Sequence, residues 1–395
     1  MRYCILIIDG AAGWPLADHE GKTCLELAHS PNLDIVAKEG TVGLVRTIPS
    51  GMEPSSACAC MSILGYDPTI YYHGRGAIEA RSMNIPINQG EAVFRCNLVA
   101  VRDGKMWSYS SGYISTSEAQ ELIVALNESL GSDKVHFYPG VSYRHICKIK
   151  GREDTLLSNC TPPHDIPGKP IGEFLPRGPG SDLLRDLMAR SEVALRSHPV
   201  NIERRSRGDI PATMIWLFWA SSKIPDMPAF KEVYCLDAAM TSGVDIMRGL
   251  AKMVGMEILD IPGVTERLDN DYAAQAAGAL KALEEYDLAV IHVEAPDEAG
   301  HAGSVKDKVE AIQRADKEIV SQLRTWNKDA LRVLIMPDHP TPIEIQTHVG
   351  EPVPFILWGP GFTANGAMRF TEAEAKKAGV FIEAGHDIMS RLVEI

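Results

Sequence analysis

Three short runs of apolar residues stand out along the chain, and they predict the central strands of a sheet. They cover residues 3–8 (YCILII), 288–293 (LAVIHV) and 331–336 (LRVLIM). Runs this short and almost continuously apolar are typical of strands in a parallel sheet that is covered on both faces. A fourth run, residues 354–358, stops at Gly359-Pro360-Gly361 and predicts another strand.

The segments between these runs have helical periodicity. Residues 271–286 predict one helix, and residues 306–325 predict another, with Val309, Ile312, Ile319 and Leu323 on one stripe. Strands that alternate with helices in this way indicate an α/β architecture.

The middle of the chain has a different pattern. Between residues 92 and 150, short strand-like runs with turns surround a predicted helix over residues 119–130. Two stretches rich in Pro and Gly follow, at residues 161–168 and 176–180, and indicate loops or a hinge. We therefore predict a discontinuous large domain, residues 1–78 and 190–395, with a smaller α+β domain inserted over residues 79–189.

Composition narrows the class of protein. A chain of 395 residues with 45% apolar residues predicts two globular domains. A formal net charge of −13 argues against a nucleic-acid-binding surface, although a deep site in an acidic protein can still bind a small anion. No apolar run reaches the roughly 18 residues that a membrane span needs. The eight scattered cysteines lack a C-x-x-C pair, which favours reduced thiols and a cytoplasmic location.

Acidic residues and histidines follow each of the first three runs. Asp9-Gly10 follows the first, the segment EAPDEAGH (residues 294–301) follows the second, and Pro337-Asp338-His339 follows the third. Ligands of open parallel sheets bind beyond the carboxyl ends of the strands, so the fold would bring these side chains together.

Asp and His are typical ligands of Zn²⁺ or Mn²⁺, and Asp297 and His301 would lie one helical turn apart. Taken singly, each of these residues is better explained as a helix cap, a turn former or a hydrogen-bonded histidine. Three such clusters after three predicted core strands favour a metal centre.

A nucleophile is predicted at the start of a further helix. Ser55 and Ser56 follow Pro54, and Gly65 predicts the end of that helix. A serine at the positive end of a helix can meet phosphate, and a divalent cation would activate its hydroxyl. Without the metal clusters, a simple capping role would be the better interpretation of either serine.

Motifs along the whole chain resemble the archaeal-type cofactor-independent phosphoglycerate mutases, of the alkaline phosphatase superfamily. A bacterial branch of that family whose members have been called proposed homoserine kinases is the most similar. The segments that carry the resemblance are IIDGAAGWPL, MSILGYDP, YYHGRGAIEA, FYPGVSYRH, TPPHDIPGK, HVEAPDEAGH, MPDHPTP and HVGEPVPF. The resemblance implies an alkaline-phosphatase-like, mostly parallel sheet between helices, with the inserted domain capping the substrate.

The resemblance also implies two divalent metal ions, Mn²⁺ or Zn²⁺ first and Mg²⁺ or Co²⁺ as alternatives. Asp297, His301 and His348 match the ligands of one ion. The ligands of the other ion are matched by Asp9, Ser56, Asp338 and His339. Ser56 matches the serine that is phosphorylated. The implied reaction interconverts 3-phosphoglycerate and 2-phosphoglycerate through this phosphoserine.

The substrate would be a small phosphorylated metabolite, held by basic residues. The candidates for binding its phosphate and carboxylate are Arg75, Arg95, Arg144, His145, His164 and Arg204. Arginine binds both groups through two parallel hydrogen bonds. A surface ion pair is the alternative for each arginine, and Arg144, beside His145, is the strongest candidate. No nucleic-acid or membrane partner is expected, and a homo-oligomer stays open.

Several positions depart from the family pattern. The nucleophile segment reads Pro54-Ser55-Ser56-Ala57 where Pro-Gly-Ser-Asp is usual. Residues 108–113 read SYSSGY instead of an arginine-rich segment, and Glu266 and Gln275 replace a glycine and a lysine. Two alternatives to the mutase therefore stay open: a related phosphotransferase or phosphatase acting on another phosphorylated metabolite, and a degenerate metal-binding protein without activity.

Overall fold

The computed structural model describes residues 1–223, 226–326 and 330–393. The strands, in chain order, are β1 Arg2–Ile8, β2 Thr41–Val45, β3 Glu91–Arg102, β4 Lys105–Ser108, β5 Val135–Tyr138, β6 Arg144–Lys150, β7 Met214–Ser221, β8 Ala238–Thr241, β9 Glu257–Ile258, β10 Leu288–Val293, β11 Leu331–Met336, β12 Val353–Trp358 and β13 Phe381–Ile382.

The helices, in the same order, are α1 Cys24–Leu27, α2 Pro31–Glu39, α3 Ser56–Ile63, α4 Pro68–Tyr71, α5 Arg75–Ser82, α6 Thr116–Leu130, α7 Ser181–Arg196, α8 Pro199–Arg207, α9 Phe230–Tyr234, α10 Asp245–Met253, α11 Tyr272–Ala282, α12 Ala295–His301, α13 Val305–Arg314, α14 Ser321–Thr325, α15 Glu372–Ala378 and α16 Asp387–Val393. A π-helical turn, Ala315–Val320, joins α13 to α14.

The chain divides into two compact units. The large unit comprises Met1–Tyr72 and Asp226–Ile395, and the small unit comprises His73–Pro225. The insert predicted over residues 79–189 falls within the small unit. That unit also contains α8 and β7, because β7 pairs with β3. The small unit, His73–Pro225, therefore extends beyond the predicted insert, residues 79–189, at both ends.

The large unit is built on an eight-stranded sheet with the order β13-β2-β12-β11-β1-β10-β8-β9. β1 pairs in parallel with both β10 and β11, and β10 pairs in parallel with β8. β12 is antiparallel to both of its neighbours, β11 and β2. The predicted α/β fold with a mostly parallel sheet is confirmed.

Burial explains why the central strands read as continuous apolar runs. In β1, Cys4, Leu6 and Ile8 pack into one core, together with side chains of α2, α11 and α13. Alternate strand residues point to opposite faces, and Ile5 and Ile7 on the other face are also fully buried. A strand buried on both faces therefore favours apolar residues at nearly every position until it ends.

The small unit contains a five-stranded antiparallel sheet. β3 is its long central strand and pairs with β4, β6 and β7. Phe94 and Cys96 of β3 pack with Leu122 and Leu126 of α6 on one face. On the opposite face, Val93 packs with Ala80 of α5. The prediction of a smaller α+β unit agrees with this architecture.

Most predicted elements occur where the sequence pattern places them. The runs at 288–293 and 331–336 match β10 and β11, and the run at 354–358 lies in β12. The helix predicted over residues 306–325 is formed by α13, the π-helical turn and α14. The helix predicted over residues 271–286 ends early, at Ala282, because turns lead from there into β10. Within the described residues, no helix is both long and apolar enough to cross a bilayer.

Candidate active site

Three neighbouring strands of the large unit end at one edge of the sheet and carry acidic residues there. Ile8 at the end of β1 lies beside Val293 at the end of β10, and Ile7 lies beside Met336 at the end of β11. The residues that follow include Asp9 and Asp338, both with 0% exposure. Parallel pairing thus brings together side chains that are far apart in sequence.

The first group of candidate metal ligands comprises Asp297, His301 and His348. Their donor atoms lie within 4.8 Å of one another. Asp297 and His301 are one turn apart on α12, with 3.1 Å between Asp297 Oδ2 and His301 Nε2. His348 Nε2 lies 2.9 Å from His301 Nε2 and 3.5 Å from Asp297 Oδ2. The three atoms therefore converge on one point, as the ligands of a cation do.

Neighbouring groups hold the members of this group in place. Thr341 Oγ1 donates a 2.5 Å hydrogen bond to Asp297 Oδ1, and His301 Nδ1 lies 2.9 Å from the carbonyl oxygen of Gln346. Burial by itself raises the pKa of Asp297, but His301 and His348 outweigh burial and hold that pKa well below its usual range. Burial lowers the pKa of His301, but the Asp297 carboxylate outweighs it and raises the pKa to about 10.

The second group comprises Asp9, Asp338 and His339, again with donor atoms within 4.8 Å. His339 Nε2 lies 3.2 Å from Asp338 Oδ2 and 3.7 Å from Asp9 Oδ1. The backbone N–H groups of Gly10 and His339 donate to Asp338 Oδ1, at 3.1 and 2.8 Å. Burial lowers the pKa of His339 to about 4, so the ring is neutral and can act as a ligand.

Ser56 belongs to this second group. It is the first residue of α3, and its Oγ lies 3.2 Å from His339 Nε2. Ser55, the residue before the helix, accepts a hydrogen bond from the backbone N–H of Cys58 through its side chain. Ser55 is therefore the helix cap, and Ser56 is the serine whose hydroxyl lies among the acidic and histidine side chains.

The chemistry of this edge fits divalent cations. Asp9 Oδ1 is buried and has no hydrogen-bond partner among the described residues. Burial, followed by the carboxylates of Asp338 and Asp297, raises the pKa of Asp9 well above its usual range. Buried carboxylates held this close together repel one another, and a cation between them would remove the repulsion. Mixed carboxylate and imidazole ligands suit Mn²⁺ or Zn²⁺.

Sequence reasoning missed several residues of this edge. His292, the fifth residue of β10, lies 2.7 Å through Nε2 from Asp9 Oδ2, and Glu294 completes a third group with them. Thr341 was also missed, as was the buried Lys308, whose Nζ donates to the carbonyl oxygens of Ala12 and Thr341. A histidine inside the run LAVIHV was the one available signal, because a polar residue interrupts an otherwise apolar strand.

The candidate substrate-binding residues all lie in the small unit. Arg75 and Arg95 share the buried carboxylate of Glu79: Arg75 Nε donates to it at 2.8 Å, and Arg95 Nη1 pairs with its other oxygen. The Arg75 guanidinium also lies over the ring of Trp219, 4.1 Å from its centroid. His164 packs against the same ring, with 5.4 Å between the centroids.

His145 and Arg144 begin strand β6 of the same unit. His145 is 1% exposed, and its Nδ1 accepts a hydrogen bond from the backbone N–H of Gly140. Burial, with the charges of Arg95 and Arg144, lowers the pKa of His145 to about 3, so its ring is neutral at pH 7. Arg144 lies over the ring of Tyr143, 5.5 Å from the centroid.

Arg204 lies in a different environment. It is 4% exposed, its Nη1 pairs with Glu118 at 2.7 Å, and its Nη2 donates to the carbonyl oxygens of Ser111 and Ile210. Ser111 and Tyr113 both have positive φ angles, 50° and 53°, a conformation that side chains disfavour. The contacts of Arg204 therefore support the backbone of the SYSSGY segment.

Comparisons with known proteins agree with these observations. A sequence profile of 2,3-bisphosphoglycerate-independent phosphoglycerate mutase matches residues 37–201. A protein of that name from Methanothrix thermoacetophila is 44% identical over 396 residues, which cover 100% of both chains. A Geobacter sulfurreducens protein, named as a probable enzyme of this kind, is 38% identical over 401 residues and also covers 100% of both chains.

Solved structures give the same picture. A protein from Pyrococcus horikoshii matches with a TM-score of 0.80 and 27% identity, over 99% of this chain and 96% of the other. A cofactor-independent phosphoglycerate mutase from Thermoplasma acidophilum shares the fold, with a TM-score of 0.61 and 24% identity over 99% and 98% of the two chains. The chain therefore belongs to the family of 2,3-bisphosphoglycerate-independent phosphoglycerate mutases.

Proposed function

We propose that the protein interconverts 3-phosphoglycerate and 2-phosphoglycerate through a phosphoserine formed on Ser56. One observation carries the proposal: the Ser56 hydroxyl lies at the start of a helix and 3.2 Å from His339, among carboxylates at the ends of three strands. The names of relatives that match over their whole length support the same reaction.

The position of Ser56 suits the transfer of a phosphoryl group. The first backbone N–H groups of α3 point outward from the helix start, and the helix dipole places partial positive charge there. Both effects stabilise a negatively charged oxygen or phosphate on the serine. Because Ser55 already caps the helix, Ser56 Oγ is left for the reaction.

We propose that two divalent cations occupy the two groups of ligands. Asp297, His301 and His348 would bind one ion, and Asp9, Ser56, Asp338 and His339 the other. Such ions would supply positive charge that lowers the pKa of the serine hydroxyl and neutralises the phosphoryl oxygens. Hydrogen bonds from neighbouring groups hold the buried carboxylates of Asp297 and Asp338 in a fixed geometry, so that little reorganisation is needed during transfer.

The proposed reaction consists of two successive transfers of a phosphoryl group. In the first, the bond between phosphorus and the 3-oxygen of phosphoglycerate breaks, a bond to Ser56 Oγ forms, and the glycerate oxygen takes up the serine proton. In the second, the 2-oxygen of glycerate attacks the phosphorus of the phosphoserine, the bond between phosphorus and Ser56 Oγ breaks, and the proton of the 2-hydroxyl returns to Ser56 Oγ. No water is consumed, and the net result is an isomerisation.

We propose that basic residues of the small unit bind the anionic groups of the substrate. Arg75, Arg95, Arg144, His145 and His164 are the candidates that cluster there. Glu79 offsets part of the charge of Arg75 and Arg95, so one carboxylate fixes the orientation of two guanidinium groups. Arg204 stays a candidate from the sequence, although its hydrogen bonds go to acceptors inside the unit.

One observation favours a second candidate function, transfer or hydrolysis at another phosphorylated metabolite. Three tyrosines, Tyr109, Tyr113 and Tyr143, pack edge to face in the small unit, with ring centroids 5.9–6.3 Å apart. Two of them belong to the SYSSGY segment, where the resemblance leads us to expect arginines. Uncharged aromatic rings there would favour a substrate less acidic than phosphoglycerate.

A coupled assay distinguishes the two functions. The full-length protein, supplied with Mn²⁺, is given 3-phosphoglycerate, and the formation of 2-phosphoglycerate and inorganic phosphate is followed in parallel. The mutase reaction gives 2-phosphoglycerate without phosphate. Release of phosphate alone, or inactivity with two metal ions bound, would contradict the mutase proposal and favour another phosphorylated substrate.

Substitution of the two neighbouring serines tests the nucleophile. We expect Ser56→Ala to lower turnover at least 1,000-fold, since no residue replaces the covalent step. It should also abolish the phosphoprotein detected by mass spectrometry after rapid acid quenching. Ser55→Ala is the matched control: it should cost about 1 kcal/mol of stability by loss of the cap, while Ser56 is still phosphorylated. Phosphorylation of Ser56→Ala would refute the assignment.

A further inference from the structure

We propose that His292 is a positioning residue for Asp9: it holds one carboxylate oxygen by a hydrogen bond, so that the other oxygen is presented to the cation. The inference rests on the metal centre proposed above and extends it to a residue that is not one of the proposed ligands. Ser242 and Gln275 take part by fixing the ring and the backbone of His292.

Hydrogen bonds on both sides of the ring define its tautomer. Val244 donates its backbone N–H to Ser242 Oγ at 3.1 Å, so the hydroxyl proton of Ser242 is directed elsewhere. A carboxylate that binds a cation is ionised and can only accept, so His292 Nε2 carries the hydrogen and donates to Asp9 Oδ2 at 2.7 Å. In a neutral imidazole the other nitrogen, Nδ1, is then the acceptor, and it accepts from the Ser242 hydroxyl at 3.0 Å.

This bond leaves the two oxygens of Asp9 in different roles. Oδ2 is held by His292, whereas Oδ1 is buried and has no hydrogen-bond partner among the described residues. Oδ1 is the oxygen that lies toward the second group, 3.7 Å from His339 Nε2. The hydrogen bond from His292 to Oδ2 restrains rotation of the Asp9 carboxylate. Oδ1 therefore keeps its direction toward the proposed cation.

A chain of buried amides fixes the backbone of His292. Gln275 Nε2 donates to the carbonyl oxygen of His292 at 2.9 Å, and Asn270 Nδ2 donates to Gln275 Oε1 at 2.9 Å. Gln275 and Asn270 are 0% and 1% exposed. Gln275 is a position where the sequence departs from the family pattern, and the structure gives it this role at the end of β10.

The main alternative is that His292 is itself a ligand of a third cation, with Asp9 and Glu294. The donor atoms of these three residues do lie within 4.8 Å of one another. The 2.7 Å between His292 Nε2 and Asp9 Oδ2, however, is shorter than the distances of 2.9–3.7 Å between donor atoms in the other two groups, and is a normal hydrogen-bond length. The geometry therefore favours a hydrogen bond over coordination, and the stoichiometry of metal binding decides between them.

Two amide substitutions test the proposal. In His292→Gln the amide nitrogen occupies the position of Nε2 and can still donate to Asp9. In His292→Asn the amide reaches only the position of Nδ1. We expect Asn to weaken Mn²⁺ binding about 10–100-fold and Gln to restore most of it. The measurement is calorimetric titration of Mn²⁺ into the chelator-treated full chain, with the number of bound ions determined by elemental analysis.

Two further variants keep the test decisive if His292→Asn does not fold. Ser242→Ala removes the partner that orients the ring and should weaken binding by a smaller factor. Thr241→Val, the preceding residue on β8, is the matched control, because its buried hydroxyl has no hydrogen-bond partner among the described residues. This control should bind Mn²⁺ as the unsubstituted protein does.

Four results would overturn the proposal. Equal Mn²⁺ affinity in the Asn and Gln variants would show that the bond to Asp9 is unimportant. A third ion in the unsubstituted protein that is lost in both variants would make His292 a ligand. Asp9→Asn distinguishes failure of the metal centre from failure of the positioning role. If Asp9→Asn binds Mn²⁺ as tightly as the unsubstituted protein, the proposed metal centre itself is wrong. If Asp9→Asn binds Mn²⁺ more weakly but His292→Asn binds it normally, only the positioning role is refuted.

Discussion

Gly10 allows the chain to turn sharply between the two groups of candidate ligands. Its φ is +61°, a conformation that glycine adopts without strain. A Cβ atom at this position would lie 2.5 Å from Asp297 Oδ1 and 2.7 Å from Thr341 Oγ1. Its N–H also donates to Asp338 Oδ1. One residue without a side chain thus allows three strand ends to approach one another.

We expect Gly10→Ala to destabilise the protein by about 2 kcal/mol or more, from the left-handed backbone and the steric clash together. Displacement of Asp297 should also weaken Mn²⁺ binding at least tenfold. Urea unfolding and calorimetric titration measure the two effects. Gly21→Ala is the matched control: its φ is +73°, and a Cβ atom there would have no atom of a non-neighbouring described residue within 4 Å. It should therefore lose about 1 kcal/mol and bind Mn²⁺ normally.

At the scale of elements, the loops that carry the candidate ligands are tied together by helix α13. Lys308 of this helix is 0% exposed, and its Nζ donates to the carbonyl oxygens of Ala12 at 3.0 Å and Thr341 at 2.7 Å. Ala12 follows β1 and Thr341 follows β11. A buried ammonium group therefore satisfies two backbone carbonyls and joins two loops.

Lys308→Met keeps most of the volume but leaves both carbonyl oxygens without their donor. We expect a loss of about 3 kcal/mol in the free energy of unfolding, measured with urea, since each unsatisfied buried acceptor costs about 1–3 kcal/mol. Lys306→Met, at an exposed position of the same helix, should change stability by less than about 0.5 kcal/mol. Equal effects of the two substitutions would mean that the contacts of Lys308 do not stabilise the loops.

At the scale of the whole molecule, buried ionisable groups make stability depend on pH. His145 is one such group, because burial and two neighbouring arginines lower its pKa to about 3, below the ordinary value of about 6.5. Between these values the unfolded chain binds a proton that the folded chain does not. The neutral ring therefore makes its full contribution to the free energy of unfolding above about pH 6.5, and this contribution is lost progressively as the pH falls toward 3.

We expect His145→Gln to be less stable than the unsubstituted protein at pH 8 and to approach it as the pH falls. The gap should narrow by about 2 kcal/mol at pH 5, since each pH unit below 6.5 corresponds to about 1.4 kcal/mol. Urea unfolding between pH 8 and pH 5 measures the gap. A constant gap for His145→Gln would contradict the prediction.

Local patterns were enough to predict most of the elements and the class of fold. A buried strand needs apolar residues on both faces, so β1, β10 and β11 could be read directly from three apolar runs. The resemblance to the family supplied His348 and the choice of Ser56, which spacing alone did not indicate. The helix cap at Ser55 distinguishes the two serines, and this contact is visible only in the folded chain.

The sequence by itself determined which residues form the central strands, and that acids and histidines follow them, because both depend on local polarity and chain direction. Only the tertiary structure decided the antiparallel direction of β12, the extension of the small unit to β7, and the contacts of His292, Gln275 and Lys308. These features depend on partners as many as 296 positions away in the chain. Contacts between such distant residues arise from packing, which leaves no periodic signal in the sequence.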